Sequence, residues 1–135
     1  MLKKYNVGII GTGFGLQGYI PVFRAYPHTK VIAICGADLV KTKNIAMQNN
    51  ISFASDNYNE LLGNKDIDII CIVTPNYLHA EIAIAAINAG KHVLCEKPMA
   101  MNIDEAKKIY AATKRHTNII FGINFIWRFT PQRWT

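Results

Sequence analysis

The segment Val7-Gly8-Ile9-Ile10-Gly11-Thr12-Gly13-Phe14-Gly15-Leu16-Gln17-Gly18 limits what this chain can become more than any other stretch. Apolar residues of a buried strand run into Gly11, Gly13, Gly15 and Gly18, and an apolar pattern resumes over Tyr19, Ile20, Val22 and Phe23. Strand, glycine turn and helix follow in that order. One glycine lets the backbone leave the strand sharply, and another removes the Cβ that would keep a diphosphate off the backbone. The free N–H groups and positive dipole end of the next helix then face that diphosphate. Two registers are open. Gly11-x-Gly13-x-x-Leu16 begins where the strand ends but puts Leu16 in the third small position, whereas Gly13-x-Gly15-x-x-Gly18 has all its glycines but starts late. The first is favoured for ligand contacts, which makes Gly11, Thr12, Gly13, Phe14, Gly15 and Leu16 candidate binding residues. Pro21 predicts a helix start near Gly18, because proline is tolerated in a first turn and disfavoured deeper in. A glycine turn without a ligand is the competing reading of this loop taken alone.

At 135 residues, half of them apolar and 18% charged, the length fits one domain with its own core. No run approaches the roughly 18 apolar residues of a membrane span, and the polar start before Val7 has no long apolar stretch behind it. These features read as a soluble cytoplasmic protein. The net charge of +6 suits an anionic ligand, yet it is spread along the chain; no basic stripe with aromatics or recognition helix points to nucleic acid. Cys35, Cys71 and Cys95 are odd in number and form no C-x-x-C pair, so neither a disulfide framework nor a metal site is indicated. Each lies near the end of a predicted strand and is expected to be a small buried hydrophobe.

Strands are predicted over residues 5–10, 31–35, 51–54, 68–73, 91–95 and 119–125, and helices over about 18–25, 39–48, 78–89 and from 103 onward. Asn57-x-x-Glu60 resembles a capping box for a short helix that Gly63 ends, and Asn102 is expected to cap a helix whose apolar side includes Ile103, Ala106, Ile109 and Tyr110. Continuously apolar strands alternating with helices predict an α/β, doubly wound, mostly parallel sheet of about six strands. In such a sheet ligands bind beyond the carboxyl ends of the strands, where strand order reverses. The residues after the second strand bear on cofactor choice: an acidic residue there binds a ribose, and a small one with nearby cations leaves room for a 2′-phosphate. If Gly36 holds that position NADP is favoured, with Lys41 beside it; if Asp38 holds it, NAD is. NADP is preferred.

Three segments fall together at the carboxyl ends: the glycine loop, Thr74-Pro75-Asn76-Tyr77-Leu78-His79, and Glu96-Lys97-Pro98 within A-G-K-H-V-L-C-E-K-P-M-A. In combination they resemble the NAD(P)-binding domain of the glucose-fructose oxidoreductase, inositol dehydrogenase and MocA (Gfo/Idh/MocA) family, from about Tyr5 to Pro131. The resemblance implies oxidation of a hydroxyl on a sugar or cyclitol by a pyridine nucleotide, or the reverse reduction. It implies that Lys97 lies beside the reacting carbinol and the nicotinamide, orienting the substrate oxygen and helping proton transfer, and that Glu96 and Pro98 fix the loop presenting it. An X-Pro bond is cis at a cost of only about 0.5 to 1 kcal/mol, which makes the Lys97-Pro98 peptide a cis candidate. Thr74, Pro75, Asn76 and His79 are expected to line the cofactor groove, and Asn124 and Arg128 to approach the nicotinamide end. For His79 a capping or core-edge role is the plainer alternative, and for Glu96 and Lys97 a surface ion pair.

Two departures stand out: Leu16 replaces a small residue, and Tyr19 stands where many relatives carry histidine. Family members continue into a second, sheet-containing domain that supplies substrate-binding and catalytic groups. Residues 1–123 therefore read as the dinucleotide-binding domain and residues 124–135 as the start of a connection. The expectation is that this chain alone turns over no sugar or polyol, and that Trp127, Phe129 and Trp134 lack cover or pack against a second copy. The rival readings are a nucleotide-holding sensor or scaffold without chemistry, and a methyltransferase, whose adenosylmethionine loop also fits Gly11-x-Gly13-x-Gly15 but leaves Lys97 unexplained.

Overall fold

The computed structural model describes residues 3–13 and 16–130. Six strands, β1 (Tyr5–Ile10), β2 (Thr29–Cys35), β3 (Phe53–Ser55), β4 (Ile69–Ile72), β5 (His92–Cys95) and β6 (Phe121–Ile123), form one sheet in the order β3-β2-β1-β4-β5-β6. Every pairing is parallel. The order reverses between β1 and β4, which puts the crevice of a doubly wound sheet there. Helices α1 (Leu16–Ala25), α2 (Leu39–Gln48), α3 (Tyr58–Gly63), α4 (His79–Asn88) and α5 (Ile103–Arg115) connect the strands.

Side chains alternate across a strand, and here the alternation divides the core in two. Val7, Ile9, Ile34 and Cys71 face Leu16, Tyr19, Ile20 and Ala46 of α1 and α2. Ile10, Ala33, Ile70, Ile72, Val93 and Cys95 face Leu61 of α3, Ile82, Ala83, Ala86 and Ile87 of α4 and Ile109 and Ala112 of α5. All three cysteines are buried. Burial, aided by Asp56 and Glu60, pushes the Cys35 thiol up to about 11, and burial beside Glu96 pushes Cys95 up to about 12. They serve as core residues, as expected.

The elements follow the predicted order with local corrections. Helix α1 begins at Leu16, two residues before the predicted start, so Pro21 lies beyond its first turn. The carbonyl that a residue-21 N–H would have served belongs to Gln17, which is exposed and open to water. Asn57 caps α3 by accepting from the Asn59 N–H at 3.0 Å. Glu60 does not reach back to it; its carboxylate takes the Ser55 hydroxyl at 2.7 Å, and Ser55 Oγ accepts from the Asn57 N–H at 2.9 Å. A serine at the end of β3 has entered the box. On α5 the buried stripe is Ile109 and Ala112, while Ile103 and Tyr110 are exposed.

The carboxyl ends of the strands are in step. Registered pairs place Ser55, Cys35, Ile10, Ile72, Cys95 and Ile123 in one row. The next residue of every strand except β3 donates to the row: Gly36 to Ser55 O at 3.1 Å, Gly11 to Cys35 O at 2.8 Å, Val73 to Ile10 O at 2.8 Å, Glu96 to Ile72 O at 3.0 Å and Asn124 to Cys95 O at 2.8 Å. The loops that follow therefore leave from a common edge.

Candidate functional site

Those loops enclose a cleft of about 1160 Å³ at the sheet reversal. Gly11, Thr12, Gly13, Gly36, Lys41, Thr74, Pro75, Asn76, Glu96, Lys97 and Asn124 line it, from every loop that the sequence singled out. Gly11 has φ +118°, and a Cβ there would lie 2.6 Å from the Val73 carbonyl carbon and oxygen. Both the backbone conformation and the crossing chain exclude a side chain, so this glycine docks the first loop onto the second. Gly13 is different: among the described residues a Cβ there would meet nothing within 4 Å, which leaves its backbone open to the cleft. Thr74 Oγ1 is buried and has no hydrogen-bond partner among the described residues. An open glycine backbone at the start of α1 and an unpartnered hydroxyl across from it fit a ligand carrying phosphates and hydroxyls.

Gly36 lies at the exit of β2. A Cβ on it would fall 2.4 Å from Thr12 Cγ2 and 2.7 Å from the hydroxyls of Thr12 and Thr42. An acidic side chain has no room there without moving the glycine loop. Asp38 is not at the cleft; it caps α2, with Oδ1 accepting from the Lys41 N–H at 3.0 Å. A second groove of about 530 Å³ shares Thr12, Gly13 and Lys41 with the cleft and adds Leu16 and Arg24.

At the other end Glu96 is held from several sides. Its Oε1 accepts from the Tyr19 hydroxyl at 2.5 Å and from Asn124 Nδ2 at 2.8 Å, and its Oε2 from the Lys97 N–H at 3.0 Å. Burial alone would raise the carboxyl; the Tyr19 and Asn124 donors with the Lys97 N–H and charge outweigh it and hold Glu96 below the usual carboxylate range. The Lys97 side chain is exposed and makes no ion pair among the described residues. The surface ion pair considered for these residues does not form, because Glu96 is already satisfied. The Lys97-Pro98 peptide is cis.

His79 is corrected by the structure. It is fully buried and does not line the cleft; its Nδ1 lies 2.7 Å from Pro98 O and its Nε2 2.9 Å from Thr74 O. The ring lies between the second loop and the third from beneath, with a carbonyl oxygen within hydrogen-bond distance of each nitrogen. Pro98 is likewise outside the cleft lining, Leu16 packs in the core below α1, and Arg128 sits in an exposed 3₁₀ turn over Ile126–Phe129. Phe14 and Gly15 lie outside the described residues, as does Trp134; Trp127 and Phe129 are exposed. Sequence reasoning missed Tyr19, Asp56 and Tyr58 as cleft residues. Tyr19 carried a signal, one turn beyond the glycines, but its partner is 77 residues away.

Known proteins agree with this geometry. A levoglucosan dehydrogenase of Pseudarthrobacter phenanthrenivorans is 37% identical over 142 residues, covering 96% of this chain and 35% of its own. A scyllo-inositol dehydrogenase from Lactobacillus casei, solved with NAD(H) and scyllo-inositol, superposes with a TM-score of 0.91 at 25% identity over 98% of this chain and 39% of that one. A 3-ketoreductase from Actinomadura kijaniata, solved with TDP-benzene and NADP, gives 0.90 at 28% identity over 98% and 42%. The chain thus spans well under half the length of these relatives. Residues 5–125 match the family described as "Oxidoreductase family, NAD-binding Rossmann fold", and the chain belongs to that Gfo/Idh/MocA family as its NAD(P)-binding domain.

Proposed function

We propose that this domain holds NADP for hydride exchange with a hydroxyl-bearing carbon of a sugar or cyclitol-like substrate, with Lys97 as the cation beside the reacting oxygen. The observation that carries the reading is the meeting of the glycine loop, Thr74-Pro75-Asn76 and Lys97 in one cleft, with the lysine unpaired. The diphosphate belongs at Gly13 and the start of α1, where the backbone is open and the helix end favours anions. Thr74 offers its spare hydroxyl to the ribose side. A bound nicotinamide supplies the hydride donor or acceptor. Lys97 orients the substrate oxygen and assists its proton transfer, stabilising negative charge there as hydride leaves. The remaining length of the relatives is where residues choosing a substrate belong, so residues 124–135 act as the start of a connection.

Gly36, crowded by Thr12 and Thr42, and Asp38, committed to its helix, supply no carboxylate for a ribose 2′-hydroxyl from the exit of β2. Lys41 and Arg24 flank the adjoining groove, which suits a 2′-phosphate. Calorimetric titration of the chain with NADP+ and NAD+ tests both parts. Binding of NADP+ at least tenfold tighter than NAD+ is expected. Equal affinities sink the NADP preference, and a response to S-adenosylmethionine with none to either dinucleotide sinks the whole reading.

A further inference from the structure

We propose that Tyr19 and Asn124 are positioning residues for Lys97, holding the Glu96 carboxylate so that the Glu96-Lys97 peptide presents the lysine to the cleft; this rests on the reading of Lys97 as the cleft's reactive cation. The contacts form a closed frame. Asn124 Nδ2 donates both to Glu96 Oε1 at 2.8 Å and to the Tyr19 oxygen at 2.5 Å, while Tyr19 donates to the same Oε1 at 2.5 Å. The other carboxylate oxygen takes the Lys97 N–H at 3.0 Å.

The donors are neutral, and that matters. A cation in either place would orient Glu96 equally well but would repel the Lys97 ammonium and compete for anionic ligand groups. Tyr19 is held as a donor: burial first, then its bond to Glu96, push its phenol far above the ordinary value. With three donors already on a carboxylate of about four acceptor sites, Glu96 has less left to draw Lys97 out of the cleft into an ion pair. Tyr19 also sits in the first turns of α1, the helix that begins at the glycine loop. The frame therefore makes the diphosphate end and the Lys97 loop one rigid unit.

Fastening α1 and β6 to β5 is the purely structural alternative, and NMR on the ligand-free, isotope-labelled chain separates the two. In Tyr19→Phe, which keeps the ring and the packing, the Glu96 carboxyl titration is expected to move up and the Lys97 amide to exchange about tenfold faster, with a melting temperature near wild type. Asn124→Ala should give the same signature and serves if the first variant folds poorly. An unmoved Lys97 amide and Glu96 titration in a folded variant overturns the proposal, whatever happens to the melting temperature. A separate arm tests the underlying reading: in the wild type, NADP+ should perturb the Lys97 and Asn124 amides and 2′,5′-ADP, which lacks the nicotinamide half, should not. Failure of that arm removes the nicotinamide from Lys97 and leaves the ligand-free result standing by itself.

Discussion

Strand β5 has a lysine just beyond each end, and the two have opposite fates. Lys91, before the amino end, is 7% exposed, and its Nζ donates to Asn64 O at 2.6 Å and to Ile67 O at 2.9 Å. Lys97, beyond the carboxyl end, is exposed and without an ion pair, beside a carboxylate that others have already satisfied. Residue type does not distinguish them; the supply of acceptors does. Where the fold provides carbonyls, the ammonium becomes a staple for the turn before β4. Where the nearby carboxylate already accepts from other donors, the ammonium stays free of an ion pair among the described residues.

Replacing each lysine tests that contrast most directly. In the complete gene product, Lys97→Ala is expected to lower kcat by about a thousandfold while the melting temperature holds, as for loss of a group acting on developing charge. A loss of stability without loss of turnover would reverse the assignment. Lys91→Ala should do the opposite. Stripping two carbonyls of their buried donor costs about 2 kcal/mol in urea unfolding and leaves NADP+ affinity within twofold. A smaller effect is expected for Lys41, also exposed at the cleft: Lys41→Ala should weaken NADP+ about fivefold and NAD+ not at all.

Acid brings out a slighter difference between the two ends. Burial by itself would raise Asp68, but the Asn6 N–H and Lys3 hold it below the usual range, as Tyr19 and Asn124 hold Glu96. A carboxylate lowered in the folded state contributes stability that is complete above its unfolded value and is lost as pH falls through the folded one. Both should therefore weaken the fold only below roughly pH 4. Tyr19→Phe should move the Glu96 part of that loss to higher pH, Lys3→Ala should move the Asp68 part, and unfolding free energy measured against pH reads both. A Lys3 effect larger than the Tyr19 effect would contradict the structure, since the Lys3 pair is open to solvent.

Much of the fold was legible because parallel strands buried on both faces are written as unbroken apolar runs, and three of the helices begin with an asparagine or aspartate cap. The three loops were legible as the segments that interrupt this pattern at strand ends. What escaped depended on partners remote in the chain. His79 reads as a groove residue until Pro98 and Thr74 are found on either side of it. Ser55 carries no signal in the sequence, lying one residue past the predicted strand, until it takes the Glu60 carboxylate. Lys91 reads only as the first residue of a strand, because nothing near it in sequence announces the carbonyls of Asn64 and Ile67. Tyr19 drew notice only as a departure, and its partners are 77 and 105 positions away.

That last separation has a bearing on how the domain matures. The frame around Glu96 draws one member from the first connection of the fold, one from its middle and one from the residue that follows β6. A nascent or nicked chain that stops short of Asn124 can complete the glycine turn, but it has no amide to close the ring around Glu96. On the proposed role of that ring, such a chain would present Lys97 less firmly than the finished domain does.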